Sequence, residues 1–149
     1  MDFITNLFDL DLSALVPEMP VFLGMVRTLL VLAMFAGPVA MTVLGYFYLF
    51  RPTPEANFRF GFRTYFGMGS VQAWRYSQRI AGMAFGALGI LLLVVSLVIA
   101  LTFIGKDLSQ VAGTAMVYLL CQAILALLIR LVPAILCAKH YDKNGNRRS

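Results

Sequence analysis

The sequence predicts an all-α membrane protein with three transmembrane helices, an N-terminal interfacial amphipathic helix and a long cytoplasmic loop rich in aromatic and arginine residues. Of the 149 residues, 60% are hydrophobic and only 13% are charged, whereas about a quarter of a soluble domain is charged. Three stretches without a charged residue, 28–50, 80–105 and 108–129, each reach the roughly 20 residues that a helix needs to cross a bilayer. Little chain remains for a soluble domain, which disfavours an enzyme that needs one.

The distribution of charge predicts the orientation. Acidic residues dominate before the first span, where Arg27 is the one cation, and Lys106 lies between the second and third spans. Most other cations flank the membrane in the loop after the first span or in the tail: Arg51, Arg59, Arg63, Arg75, Arg79, Lys139, Lys143, Arg147 and Arg148. An odd number of spans places these two segments on one side, and the positive-inside rule makes that side the cytoplasm. We therefore expect an outside N-terminus, a cytoplasmic C-terminus and contact with anionic lipids, but no nucleic-acid partner.

Residues 1–20 are predicted to form an interfacial segment. Phe3, Ile4, Leu7 and Phe8 share one side of a helix, which suits burial in the headgroup region; a docking surface for a partner is the alternative. The first span, assigned to residues 21–50, contains Pro38. Because proline removes a backbone donor and clashes with the preceding turn, it predicts a kink in this helix.

The second span, residues 80–105, has a face of small residues. Gly82, Gly86, Gly89 and Ser96 lie on this face, and glycines four residues apart let another helix backbone approach closely. We favour packing against another span of the same chain, and homodimerisation is the alternative.

The third span is assigned to residues 108–138, followed by a basic cytoplasmic tail at 139–149. Asp107 and Gln110 match a capping box after a tight turn, so spans two and three should form a hairpin. Thr114, Tyr118 and Gln122 make a polar stripe. Cys121 and Cys137 lie too far apart along one helix to form a disulfide with each other.

Arg130 is the one ionisable residue inside an apolar run, and with Gln122 it makes up the intramembrane polar set. An intramembrane arginine is a functional hypothesis by default. No Asp, Glu or His lies in any span, and the side chain can reach the cytoplasmic headgroups. We therefore favour snorkelling or a structural contact, for example with carbonyls freed near Pro38.

The loop at residues 51–79 carries the most specific pattern. Residues 57–64 alternate aromatic with polar or small side chains, which predicts an extended strand with Phe58, Phe60 and Phe62 on one side. A single strand leaves its backbone unpaired, so it should lie at the interface or fold back onto the bundle. Ser70 is a suitable N-cap for a helix that either runs into the second span or meets it at a bend, with Trp74 and Tyr76 at headgroup depth.

Several positions of this loop form a motif with fixed spacing. They are Asn57, Gly61, Arg63, Thr64, Ser70, Trp74, Gln78, Arg79 and Gly82. The motif resembles the signature of the SdpI/YfhL family, N-x-x-[FWY]-G-x-R-T followed by a tryptophan and a glycine that opens the next helix. The resemblance implies an immunity protein of the bacterial cytoplasmic membrane, which protects the cell from a secreted, membrane-active peptide toxin. It also implies a signalling role in some members, which hold a cytoplasmic regulator at the membrane.

An enzyme is not expected, because His140 is the sole histidine and no nucleophile–base pair or phosphate-binding glycine loop is present. We accordingly predict no catalytic residue, no metal and no cofactor. A transporter should show intramembrane carboxylates or repeats. The alternative function is a small accessory or assembly subunit of a larger bacterial membrane complex, or a homo-oligomer, which the glycine face would equally suit.

Overall fold

The computed structural model describes residues 19–54 and 60–148, and within them the prediction of an all-α fold is confirmed. Three segments are long and apolar enough to span a membrane, Pro20–Phe50, Val71–Thr102 and Leu108–His140. No strand forms in the described part, where Tyr141 and Arg147 make an isolated β-bridge. The predicted interfacial helix at residues 1–20 lies almost entirely outside the described residues. The helices are α1 (Met19–Phe50), α2 (Val71–Thr102), α3 (Leu108–Ile129) and α4 (Leu131–His140).

Helix α1 is the centre of the bundle, because it packs against both α2 and α3. Helices α2 and α3 contact each other little, although a short turn at Gly105 joins them. Helix α4 packs back against α2. Large apolar side chains such as Leu97 and Leu127 point outwards and stay exposed, as is expected of helices whose outer surface faces lipid tails.

Pro38 organises the contact between the three spans. Since proline has no N–H group, the carbonyl of Met34, four residues earlier, lacks its usual helical donor. The Ser96 hydroxyl of α2 (3.1 Å) and the Gln122 amide of α3 (2.9 Å) both donate to this carbonyl. Tyr118 adds a hydroxyl contact to Ser96 (2.8 Å). A carbonyl released in α1 is therefore the point at which polar side chains of the other two spans converge, and Arg130 is not one of them.

The glycine face of α2 lies against α1 of the same chain. A Cβ atom added at Gly89 would lie 2.6 Å from the Thr42 backbone nitrogen, and one added at Gly82 would lie 2.6 Å from Leu49 Cγ. Gly45 of α1 supplies the closest approach, because a Cβ there would lie 2.5 Å from the Gly86 backbone. The face is thus occupied within the monomer, as the favoured interpretation expected, and Ser96 continues it toward Met34.

The ends of α3 differ from the sequence prediction. Asp107 is the N-cap residue, but its side chain makes no capping hydrogen bond, so the predicted capping box is wrong. At the other end, a turn at Arg130 separates α3 from α4. Pro133 explains this break, because it cannot donate to the carbonyl of Ile129. Arg130 therefore lies at a helix junction rather than within a continuous helix.

Candidate functional site

The loop at residues 60–70 folds back onto the bundle, one of the two placements expected for it, but it does not form the predicted strand. Together with the first turns of α2 and the tail at 141–148, it makes up what we call the loop end. The strand prediction is wrong here because Gly61 adopts φ +128°, which bends the chain away from extended geometry. The Gln78 side chain of α2 accepts from the Phe62 amide (2.9 Å) and donates to the Phe62 carbonyl (2.8 Å). The side-chain oxygen and nitrogen of Gln78 thus make the backbone hydrogen bonds that a neighbouring strand would otherwise supply. Asn57 lies outside the described residues.

Aromatic rings hold the loop against α1. The rings of Phe60 and Phe62 both lie near Tyr48, with centroids 5.7 and 6.4 Å from it. Phe62 also contacts Phe85 of α2, at 5.8 Å. The two phenylalanines therefore share a partner, although the backbone between them is bent and forms no strand. Phe58, the third ring of the predicted strand, lies outside the described residues.

Trp74 is completely buried, so its ring contacts other parts of the chain and not lipid headgroups. Its indole N–H donates to the Thr53 carbonyl (3.0 Å) at the start of the loop. Its ring fills the space over Gly61, where an added Cβ would lie 2.5 Å from the Trp74 Cζ2 atom. The glycine and the tryptophan of the motif thus contact each other directly.

Thr64 and Ser70 shape the turn between the loop and α2. The Thr64 hydroxyl accepts from the Gly67 amide (2.9 Å), and its carbonyl accepts from Met68 (3.2 Å). Ser70 accepts from the Ala73 amide (3.2 Å), which confirms the predicted N-cap. The Ser70 hydroxyl also donates to the Gly145 carbonyl of the tail (2.8 Å). The loop is thereby held at several points by short-range and long-range hydrogen bonds.

The tail forms a small hairpin on top of this turn. The Asp142 carboxylate accepts from the amides of Asn144 (2.9 Å) and Asn146 (2.8 Å). The hydrogen bond from the Asn146 backbone, followed by that from Asn144, lowers the pKa of Asp142 from its ordinary value. Tyr76 of α2 stacks near His140 and Tyr141, with centroids 5.3 and 5.5 Å away. The basic tail is thus partly fixed to the loop end.

Arg63 and Arg130 meet at this end although they are distant in sequence. Both line a cavity of about 500 Å³ with Phe62, Leu127 and Leu131. Both also line a second cavity of about 420 Å³, which extends toward Tyr48 and Phe85. Arg75 and Arg79, the other arginines of the motif region, are exposed on α2 and line neither cavity.

The remaining predicted site residues lie elsewhere. Gln122 and Ser96 take part in the contact with Met34 in the middle of the bundle. Thr114 donates to its own helix, to the Gln110 carbonyl (2.9 Å). Sequence reasoning missed Gly45, whose signal was its place on the helix with Pro38 and Gly37, and it missed Tyr48, whose role depends on loop folding.

The chemistry that this end offers is recognition by shape and by guanidinium groups. Among residues 19–54 and 60–148, no group of three His, Cys, Asp or Glu side chains is placed to hold a metal ion. Cys137 is buried near Ala73, and Cys121 is exposed; both are free thiols.

Comparison with known families agrees with the motif. Residues 55–134 match the SdpI/YfhL protein family, and the match covers the loop from residue 55 onwards, α2, α3 and Arg130. No curated protein and no solved structure shows significant similarity to the chain. The match extends over more than half of the sequence and includes every described residue of the motif. This chain therefore belongs to the SdpI/YfhL family, whose membership suggests a membrane protein of the immunity type.

Proposed function

We propose that this protein protects a bacterial cell from a secreted, membrane-active peptide toxin by binding the peptide rather than by altering it. The observation that carries the proposal is the family match over residues 55–134. We further propose the orientation that the charge pattern predicts, with the loop end in the cytoplasm and the Gly105 turn outside.

A groove between α2 and α3 is the best-placed surface for the toxin. These helices contact each other little, and a cavity of about 460 Å³ lies between them, lined by Ile99, Gly113, Thr114, Val117, Tyr118 and Cys121. An added Cβ at Gly113 would meet no atom within 4 Å, so its helix surface is open to a partner. In the proposed orientation this groove lies toward the outer side, from which a secreted peptide arrives. Small residues allow the close backbone approach on which helix association in membranes depends.

The loop end would serve the second role seen in the family, contact with a cytoplasmic regulator. Arg75 and Arg79 are exposed on successive turns of α2, and together they present positive charge outside the arginine-lined cavities. Such charge steers an acidic partner surface toward the membrane. The glycine face of α2 is occupied by α1, so it offers no surface to a larger complex.

The test is protection of a toxin-sensitive bacterial strain that expresses this chain. Culture supernatants from strains that produce membrane-active peptides are applied, and the minimal inhibitory dilution is measured. We expect the wild-type chain to raise resistance and Gly113→Leu to abolish that gain, because leucine fills the groove.

Gly24→Leu is the matched control, since Gly24 is also a helical glycine with no atom within 4 Å of an added Cβ. This variant should protect like the wild type. Equal loss of protection in both variants would contradict the groove. Absence of protection by the wild type, together with copurification of a larger membrane complex, would favour an accessory subunit instead.

A further inference from the structure

Two cavities at the loop end share the lining residues Phe62, Arg63 and Arg130, and we call the two cavities together the arginine groove. The groove combines two guanidinium groups with apolar walls. A pair of cations beside apolar surface is complementary to a ligand with an anionic head and a hydrocarbon body.

Arg63 is fixed in position by its neighbours on both sides. The backbone of Phe62 is paired in both directions with Gln78. The hydroxyl and carbonyl of Thr64 are both engaged by the following turn. Because the flanking residues are buried and hydrogen-bonded, the guanidinium group projects from an ordered backbone, which lowers the entropy lost when a ligand binds.

Arg130 approaches the groove from the membrane side. It lies at the junction of α3 and α4. Leu127 precedes it by about one helical turn, and Leu131 follows it directly. These leucines are 65% and 53% exposed, and on a membrane-spanning helix such exposure means contact with lipid tails. The groove therefore opens sideways toward the bilayer as well as toward the headgroup layer.

We propose that the arginine groove binds one anionic phospholipid. Its phosphate would lie between Arg63 and Arg130, and one acyl chain would lie along Leu127, Leu131 and Ala134. Arginine suits this role because its planar donor fork pairs with phosphate oxygens in a bidentate manner. Basic pockets beside membrane helices on the cytoplasmic side are a recognised setting for lipid headgroups. The inference does not depend on toxin binding.

A lipid explains the lining better than a free phosphate ion does. A free ion would use the two arginines and leave the leucines and Ala134 without a function in the site. A lipid uses both, because its phosphate pairs with the arginines while its acyl chain lies along the apolar residues that face the lipid tails. It also places a counter-charge beside Arg130, whose apolar run contains no acidic residue.

The test is a titration of the purified full-length chain in detergent, followed by native mass spectrometry. Phosphatidylglycerol, phosphatidylcholine with the same acyl chains, and inorganic phosphate are added separately, and the dissociation constant of the first bound molecule is measured. We expect phosphatidylglycerol to bind at least about tenfold more tightly than phosphatidylcholine. Arg63→Gln and Arg130→Gln should each weaken that first binding event about tenfold, the usual effect of losing hydrogen bonds to a charged group.

Arg75→Gln is the matched control, because Arg75 is an exposed arginine of the same end outside the groove, and its affinity for phosphatidylglycerol should stay unchanged. Circular dichroism checks that each variant keeps its helix content; Arg130 is exposed, so Arg130→Gln should keep the fold. Equal weakening by Arg75→Gln would overturn the proposal in favour of diffuse surface charge. Equal affinity for phosphatidylcholine, or displacement of phosphatidylglycerol by millimolar phosphate, would overturn it as well.

Discussion

The pair Gly45 and Gly86 predicts an asymmetric response to the same substitution. At Gly45, an added Cβ would lie 2.5 Å from both the Cα and the nitrogen of Gly86, and 3.0 Å from the Gly82 carbonyl oxygen. At Gly86, an added Cβ would lie 3.9 Å from Gly45 Cα, with nothing else within 4 Å. Two glycines that face each other thus differ in the space available for one methyl group.

The magnitudes follow from these distances. Carbon atoms pack at about 3.5–4.0 Å, so Gly45→Ala must separate α1 from α2 by about 1 Å. Overpacking costs about 1–3 kcal/mol, and the upper end applies because backbone atoms block the methyl group. Alanine recovers up to about 1 kcal/mol of helix propensity. We expect Gly45→Ala to lower the free energy of unfolding by about 2 kcal/mol, and Gly86→Ala to leave it unchanged or raise it by up to about 1 kcal/mol.

The assay is reversible unfolding of the purified chain in mixed micelles by titration with sodium dodecyl sulphate, monitored by circular dichroism. Both variants are measured beside the wild type under identical lipid and detergent conditions. A loss of stability in Gly86→Ala as large as that in Gly45→Ala would refute the packing argument, and so would a neutral Gly45→Ala.

Three further predictions concern the hydrogen bonds. Gln78→Ala leaves two buried backbone groups of the loop without partners, so it should lower the free energy of unfolding by about 1–3 kcal/mol for each group. Gln72 is exposed on the same helix, so Gln72→Ala should leave the free energy of unfolding unchanged in the same titration. Tyr118→Phe removes a buried hydroxyl that bridges α2 and α3 and should cost about 0.6–1.7 kcal/mol; an equal cost for the exposed Tyr46→Phe would contradict this. The Asp142 pKa lies below its ordinary value of 3.8, so its contribution to the tail hairpin should be complete above that value and disappear as pH falls through the folded pKa. Amide exchange of the tail should show this acid dependence in the wild type, and Asp142→Asn should remove it.

The spans were predictable from the sequence because their signals are local. An uncharged run of sufficient length identifies a membrane helix without reference to any other part of the chain, and the Ser70 cap depends only on the residues that follow it. The convergence on the Met34 carbonyl also had a local signal, since Pro38 must leave that group without its helical donor.

The loop end was not predictable in the same way because its contacts join distant segments. The alternation at residues 57–64 indicated a strand, but a strand needs a partner, and the Gln78 side chain supplies hydrogen bonds that no periodicity reveals. Tryptophan is a residue type typical of the membrane interface. The Trp74 ring instead fills the space that Gly61 leaves in the folded loop. Arg63 and Arg130 line the same cavities although 66 other residues separate them in the sequence, and no local pattern indicates this.

The role of Gly45 depended on helix register. Its spacing from Gly37 is visible in the sequence, but only the packing of α1 on α2 shows which glycine faces which. The capping box predicted from Asp107 and Gln110 is a local pattern. It was wrong because the turn before α3 leaves the Asp107 side chain without a capping hydrogen bond.

Protection by capture, without chemical change of the peptide, is tested most directly by mass balance. Proteoliposomes that contain the wild-type chain are incubated with an active peptide fraction from a producing strain, beside protein-free liposomes and liposomes with Gly113→Leu. Capture predicts that the wild type removes the peptide from solution in proportion to the amount of protein, that removal saturates, and that detergent releases the peptide with its mass unchanged. Removal that continues past saturation with cleaved or modified peptide, or removal no greater than that by protein-free liposomes, would contradict it.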